Sequence, residues 1–206
     1  MPPLILILGP MASGKTSLCK FLFRTMAKEE LNPYAIIQEN RRDPEGYPTE
    51  LRLVELPGGE GRFLGRRGTS EPKREMFGEH KFEEGESRRG KQPFIFEDSA
   101  FAWASDRIRS ALTRGCGTLI IDEIGPLEVL SGGGLAPALE TAAKREGLAL
   151  IASTRPSLEH ELLRRIPGLG ARSLLRIVAN PDRDARDLFF LSRTIIRHCQ
   201  DKDRTV

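Results

Sequence analysis

The sequence predicts an α/β fold built on a mostly parallel sheet, and three observations carry that prediction. A continuous apolar run, Leu4-Ile5-Leu6-Ile7-Leu8, stops at Gly9-Pro10 and gives way to residues at helical spacing. A second apolar run, Leu119-Ile120-Ile121, leads straight into two acids, Asp122 and Glu123. Around them, short strand-like runs alternate with stretches of helical periodicity, the pattern of parallel strands joined by crossover helices. The 206 residues suffice for one domain with a proper core and are few for two, so residues 1–206 are expected to form a single domain.

The elements follow in order. Leu4 to Leu8 is apolar at every position, as a strand covered on both faces requires. Leu18, Phe21, Leu22 and Met26 then mark one face of a helix that ends in Lys28-Glu29-Glu30 before Asn32-Pro33. Tyr34 to Ile37 supplies the next strand of a βαβ unit. From Glu50 to Leu56 the pattern alternates, with Leu51, Leu53 and Glu55 on one face and Arg52, Val54 and Leu56 on the other. Pro57-Gly58-Gly59 turns the chain into Gly61 to Leu64, which reads as a β-hairpin inserted into the parallel sheet. Gly65 to Lys91 is rich in Arg, Lys, Glu and Gly with few apolar residues, the composition of a mobile charged loop.

Structure resumes at Phe94-Ile95-Phe96, followed by a helix whose face is Phe101, Ala104, Ile108, Ala111 and Leu112. The strand from Thr118 ends at Asp122-Glu123, where Gly125-Pro126 breaks the chain. A helix around Leu135 to Arg145, a strand Leu148 to Ala152, a helix Leu158 to Ile166, a strand Leu174 to Val178 and a helix Arg186 to His198 complete the alternation.

Composition narrows the function classes. The chain is 39% hydrophobic and 30% charged, which fits neither a coiled coil nor a disordered polypeptide. A net charge of +3 is too slight to point to nucleic acid, which is not an expected partner. Cys19, Cys116 and Cys199 are far apart and form no CxxC pair, so they suggest neither a disulfide framework nor a zinc site and fit a reducing, cytoplasmic setting. Leu4 to Leu8 falls far below the roughly 20 residues of a membrane span, so no membrane partner is expected.

Chemistry enters at Gly9-Pro10-Met11-Ala12-Ser13-Gly14-Lys15-Thr16, which satisfies GxxxxGK[ST] (the P-loop, or Walker A, pattern) and sits between a strand and a helix as that pattern requires. Glycines let backbone N–H groups converge on phosphate oxygens, and the helix N-terminus, reached through Thr16 and Ser17, adds its dipole. Lys15 would reach the β and γ phosphates, and the Thr16 hydroxyl would ligate Mg²⁺. Asp122, at the carboxyl end of a buried strand, is placed as the Walker B acid on the Mg²⁺ side. Glu123 beside it could orient or deprotonate a water for in-line attack, or be only a solvated strand end. Arg155, after Ile151-Ala152-Ser153-Thr154, could stabilise transition-state charge or lie on the surface; Ser153 or Thr154 could sense phosphate or begin a turn.

With these residues in place, the chain resembles the small nucleoside-triphosphatase family of bacteria, archaea and animals that includes the cancer-related nucleoside triphosphatase. Asp122-Glu123-Ile124-Gly125-Pro126-Leu127-Glu128 is similar to that family's DEIGxxE run, and Gly46, Thr49, Glu50, Gly90-Lys91 and Asn180-Pro181-Asp182-Arg183 are similar to its weaker features. The resemblance implies a three-layer, RecA-like P-loop fold and Mg-dependent hydrolysis of several nucleoside triphosphates. It implies phosphate contacts at Lys15 and Thr16 and acid roles at Asp122 and Glu123. The chain departs from the family at Ala12, where relatives often carry glycine, and in the length of its charged stretch.

Two other readings stand beside hydrolysis: a nucleoside or nucleotide kinase with Gly65 to Lys91 as its lid, and a nucleotide-gated protein that binds a partner through the charged loop or Leu127 to Gly134. A protein partner is left open. His80, His160 and His198 lack paired-ligand spacing, Phe101 and Trp103 read as core, and Cys19 reads as a small buried hydrophobe or a redox-sensitive thiol. Asn180 or Arg183 could contact the base or form a helix-capping turn.

Overall fold

The computed structural model describes residues 2–68 and 94–200. Along the chain run β1 (Pro3–Leu8), α1 (Lys15–Lys28), β2 (Pro33–Arg42), β3 (Pro48–Leu56), β4 (Gly61–Arg67), β5 (Phe94–Phe96), α2 (Asp98–Thr113) and β6 (Thr118–Ile124). Then come α3 (Pro126–Ser131), α4 (Ala136–Ala143), β7 (Ala149–Thr154), a 3₁₀ turn (Pro156–Leu158), α5 (Glu159–Arg165), β8 (Ser173–Val178) and α6 (Ala185–Gln200). The described strands form one sheet in the order β5-β4-β3-β2-β6-β7-β1-β8.

The parallel part is β2-β6-β7-β1-β8. Leu8 pairs with both Thr154 and Val178, and Ile124 with Thr154, so the carboxyl ends of four strands lie level along one edge. Each buried strand sends alternate residues to opposite faces. Leu4, Leu6, Leu119, Ile121 and Leu150 meet Ala104 and Ile108 of α2, Leu139 of α4 and Leu162 of α5. Ile5, Ile7, Ile120 and Ile151 meet Leu18, Leu22 and Met26 of α1 and Ile195 and Ile196 of α6. The fold is therefore three layers, and each such Leu or Ile contributes about 1.5–3 kcal/mol by leaving water.

The hairpin forms, but as more than an excursion. β2 continues five residues past Ile37 to Arg42, turns, and pairs antiparallel with β3; β4 and β5 add to that wing. As the alternation predicts, Leu51, Leu53 and Glu55 are buried while Arg52 is exposed. β4 runs on to Arg67 rather than stopping at Leu64, so the start of the expected charged loop is strand; residues 69–93, which carry the rest of it with His80 and Gly90-Lys91, lie outside the described residues. Gly125-Pro126 does not simply break the chain. Proline is tolerated at the first helical position, where its missing N–H has no partner to lose, and α3 starts there. β6 and β7 each extend to the sheet edge, to Ile124 and Thr154, which places Asp122, Glu123, Ser153 and Thr154 inside strands. Among the described residues no helix is long and apolar enough to cross a membrane.

Candidate active site

The loop from Gly9 to Gly14 leaves the sheet at this edge and enters α1. Its shape depends on backbone that side chains resist: Gly14 has φ 86°, and a Cβ on Gly9 would sit 2.2 Å from Ser13 Oγ. Ala12, with φ 61°, adopts the left-handed conformation that its Cβ disfavours. The Lys15 side chain is 4% exposed and folds over the loop. Its ammonium donates to the carbonyls of Gly9 at 3.0 Å and Pro10 at 2.9 Å, and lies 3.4 Å from Glu123 Oε2.

Asp122 is buried beneath this pair. Its Oδ1 accepts from the Ser153 hydroxyl at 2.6 Å and faces the Cys19 thiol at 3.8 Å. Its Oδ2 is buried and has no hydrogen-bond partner among the described residues, and neither has Ser13 Oγ. Burial pushes the Asp122 carboxyl above its ordinary range, opposed by the hydroxyls of Ser153 and Thr16. Burial, reinforced by the Asp122 charge, pushes the Cys19 thiol well up, so Cys19 is a protonated, packed group rather than a reactive one.

Glu123 departs from regular strand geometry. Ile121 pairs with Ala152 and Ile124 with Thr154, so Asp122 and Glu123 together oppose Ser153 alone, and Glu123 has φ 62°. Ser153 and Thr154 are fully buried. The Glu123 N–H donates to Ser153 Oγ at 2.8 Å, and Thr154 Oγ1 donates to the Ile124 carbonyl at 2.8 Å. Arg155 is exposed at the end of this edge and makes no ion pair with a described residue, which leaves its aim unfixed.

Sequence reasoning gave Glu128 no role. It is buried, and its carboxylate accepts the N–H groups of Gly125 at 3.0 Å and Leu135 at 3.3 Å, clasping both ends of the α3 segment. Glutamate three residues after a helix cap is the sequence signal for half of this clasp. The expected turn after β8 is present. Asn180 Oδ1 accepts the Asp182 N–H at 3.0 Å and Arg183 donates to the Val178 carbonyl at 2.7 Å, while Asp184 caps α6 through the Asp187 N–H. This turn leans on the phosphate loop, since a side chain on Gly14 would meet Pro181 at 3.4 Å.

The residues fit a divalent cation of the magnesium type. A buried carboxylate oxygen without a partner and the neighbouring Thr16 hydroxyl are hard oxygen donors, and such an ion needs only one or two of them when phosphates and water complete its shell. No group of three or more His, Cys, Asp or Glu among the described residues forms a cage of protein ligands.

Comparison with known proteins agrees with this architecture. The solution structure of a human cancer-related nucleoside triphosphatase superposes with a TM-score of 0.62 at 19% identity, covering 100% of both chains. The crystal structure of THEP1 from the hyperthermophile Aquifex aeolicus gives 0.54 at 17% identity over 95% of this chain and 99% of that one. At these identities the likeness is one of fold. Among curated proteins none matches the chain. The model of the NTPase family matches residues 4–187, from the first strand into the last helix, and with it the chain belongs to the NTPase family and is a nucleoside triphosphatase.

Proposed function

We propose that the protein hydrolyses nucleoside 5'-triphosphates to diphosphate and phosphate in a Mg²⁺-dependent reaction with little discrimination among bases. The observation that carries this reading is the meeting of Lys15 and Glu123 at 3.4 Å on the edge where Asp122 keeps an unpartnered oxygen: cation, acid and ligand oxygen converge on one point.

In this reading the N–H groups of Gly9 to Gly14, with Ser17 in the first turn of α1, cradle the phosphates. Lys15 exchanges its carbonyl partners, Gly9 and Pro10, for the β and γ phosphate oxygens, which releases Glu123 from the ion pair. Glu123 then orients a water in line with the γ phosphorus and takes its proton. The new O–P bond forms as the bond to the bridging oxygen breaks, and the nucleoside diphosphate leaves with that electron pair. Thr16 and Asp122 would hold Mg²⁺, which when bound supplies charge neutralisation at the β and γ oxygens. Arg155 is assigned to the charge that develops in the transition state. The turn beside Gly14 spends only Asn180 Oδ1 and one Arg183 N–H on its own bonds; loose base choice is what the resemblance to the family implies.

The test is phosphate release from ATP, GTP, CTP and UTP, with Mg²⁺ and with chelator, for the wild type and Glu123→Gln, each without and with nucleoside acceptors. Comparable Mg-dependent release from several nucleotides, lost in a variant that still binds them, is expected. Phosphate appearing only on an acceptor would replace this reading with a kinase.

A further inference from the structure

The bulge in β6 poses an accounting problem whose solution is one side chain. Two residues, Asp122 and Glu123, face one on β7, so the ladder cannot supply a carbonyl for the Glu123 N–H. The segment is largely buried, and an N–H left unpaired there is costly. The Ser153 hydroxyl takes that role at 2.8 Å and at the same time donates its proton to Asp122 Oδ1 at 2.6 Å. The assignment of donor and acceptor is forced, because an amide only donates and a carboxylate only accepts. Thr154 fastens the far side of the bulge by bonding the Ile124 carbonyl at 2.8 Å. In a regular strand Asp122 and Glu123 would point to opposite faces of the sheet. Here the left-handed backbone at Glu123 sends its carboxylate to Lys15, while Asp122 stays level with Cys19 of α1.

We propose that Ser153 is a positioning residue for hydrolysis: a single buried hydroxyl locks the two acids together and holds the strained main chain of Glu123 in the conformation that aims its carboxylate. A serine fits because it is both donor and acceptor in the volume of one oxygen. Alanine would leave the Glu123 N–H without its partner and free the backbone to relax out of the left-handed region, which a residue with a Cβ disfavours. The proposal rests on Glu123 as the water-activating acid.

The experiment compares wild type, Ser153→Ala, Glu123→Gln and the double variant. Ser153→Ala is expected to lower kcat on the order of 10- to 100-fold, the range for residues that orient a ligand or acid from behind, while binding of a non-hydrolysable nucleotide analogue is unchanged. Adding Ser153→Ala to Glu123→Gln is expected to cost much less than it costs the wild type, since only its hold on Asp122 is left to lose. Amide hydrogen exchange at Glu123, followed by NMR, should accelerate in Ser153→Ala. An unchanged kcat, a loss that adds in full to that of Glu123→Gln, or unchanged exchange at Glu123 would each overturn the proposal. Were the wild type to release no phosphate, the hydrolysis reading would fall by itself, and the exchange measurement would still decide whether Ser153 holds Glu123.

Discussion

The two edges of the parallel sheet each bury a charged group, and they treat it in opposite ways. At the amino-terminal edge Arg172, 5% exposed, donates to the carbonyls of Pro3, Leu148, Ala142, Ala143 and Arg145, so its guanidinium ties the start of β1 to the end of α4 and the approach to β7. At the carboxyl edge Asp122, 1% exposed, uses one oxygen and leaves the other unpartnered, beside a loop and a bulge that hold Ala12 and Glu123 at positive φ. The lower edge is saturated and stabilises the fold. The upper edge carries unspent bonding capacity and strain, which suit a surface whose remaining contacts come from a substrate.

That contrast is broken most severely by Glu123→Gln. The amide keeps the shape of the carboxylate but cannot take a proton, so phosphate release is expected to fall by about 10²–10⁴, with nucleotide binding retained. The melting temperature should hardly move, because the Glu123 side chain is a quarter exposed and the Lys15 ammonium keeps its bonds to the Gly9 and Pro10 carbonyls. Steady-state phosphate release together with a thermal melt checks both halves. A variant that loses activity only by unfolding would erase the distinction between the edges.

Arg172→Met makes the reciprocal change. The methionine refills much of the volume, but five carbonyls, four of them buried, lose a donor; Ala142 keeps the Arg145 N–H, and at roughly 1–3 kcal/mol for a buried group left unsatisfied the net cost is expected to be about 3 kcal/mol. For a chain of this size that lowers Tm by about 6–12 °C. The activity of the molecules that remain folded should match the wild type. A loss of kcat at temperatures well below the transition would mean that the lower edge is coupled to the chemistry.

The upper edge was legible in the sequence where its logic is local. Gly9 to Thr16 and the apolar run into Asp122 are contiguous strings with fixed spacing, and the strand alternation around them gave the layers. The parts that were not legible depend on register. The contact of Ser153 with Asp122 and Glu123 spans about thirty positions of chain and exists only because β6 and β7 pair with a bulge, which no pattern in either strand announces. Arg172, between Ala171 and Ser173, has no neighbour in sequence that explains it; its partners lie on three other segments. Pro126 was legible as a boundary and ambiguous in kind, because proline ends one helix and begins another by the same fixed φ.

A smaller effect follows from pH. Burial holds the Glu128 carboxyl above the ordinary glutamate value of 4.5, against the backbone N–H groups of Gly125, Glu128 and Leu135 that favour its charge. The folded state therefore keeps this proton where the unfolded chain has lost it, and stability falls as pH rises from 4.5 through the folded value. Asp122, also raised, adds a slope of the same sign. In Glu128→Gln the titrating group is removed, and urea unfolding across this range should show a shallower decline with pH than the wild type. A steeper decline would mean that the clasp on Gly125 and Leu135, not burial, sets the balance at Glu128.

The smallest predicted change is Ala12→Gly. Every other device on the upper edge contributes an atom to binding or to the aim of an acid, but the methyl group of Ala12 contributes only resistance to the backbone conformation that the loop adopts. Removing it relieves a left-handed strain of roughly 1–2 kcal/mol, and the greater freedom of glycine in the unfolded chain returns roughly 0.4–1 kcal/mol of that gain. The variant should therefore be more stable by about 0.5–1 kcal/mol, seen as a rise in Tm of about 1–4 °C, with phosphate release unchanged. If Ala12→Gly were instead to raise stability and slow phosphate release together, the strain in the loop would itself be part of how the site holds phosphate, and the upper edge would owe its function to stored conformation as well as to unspent hydrogen bonds.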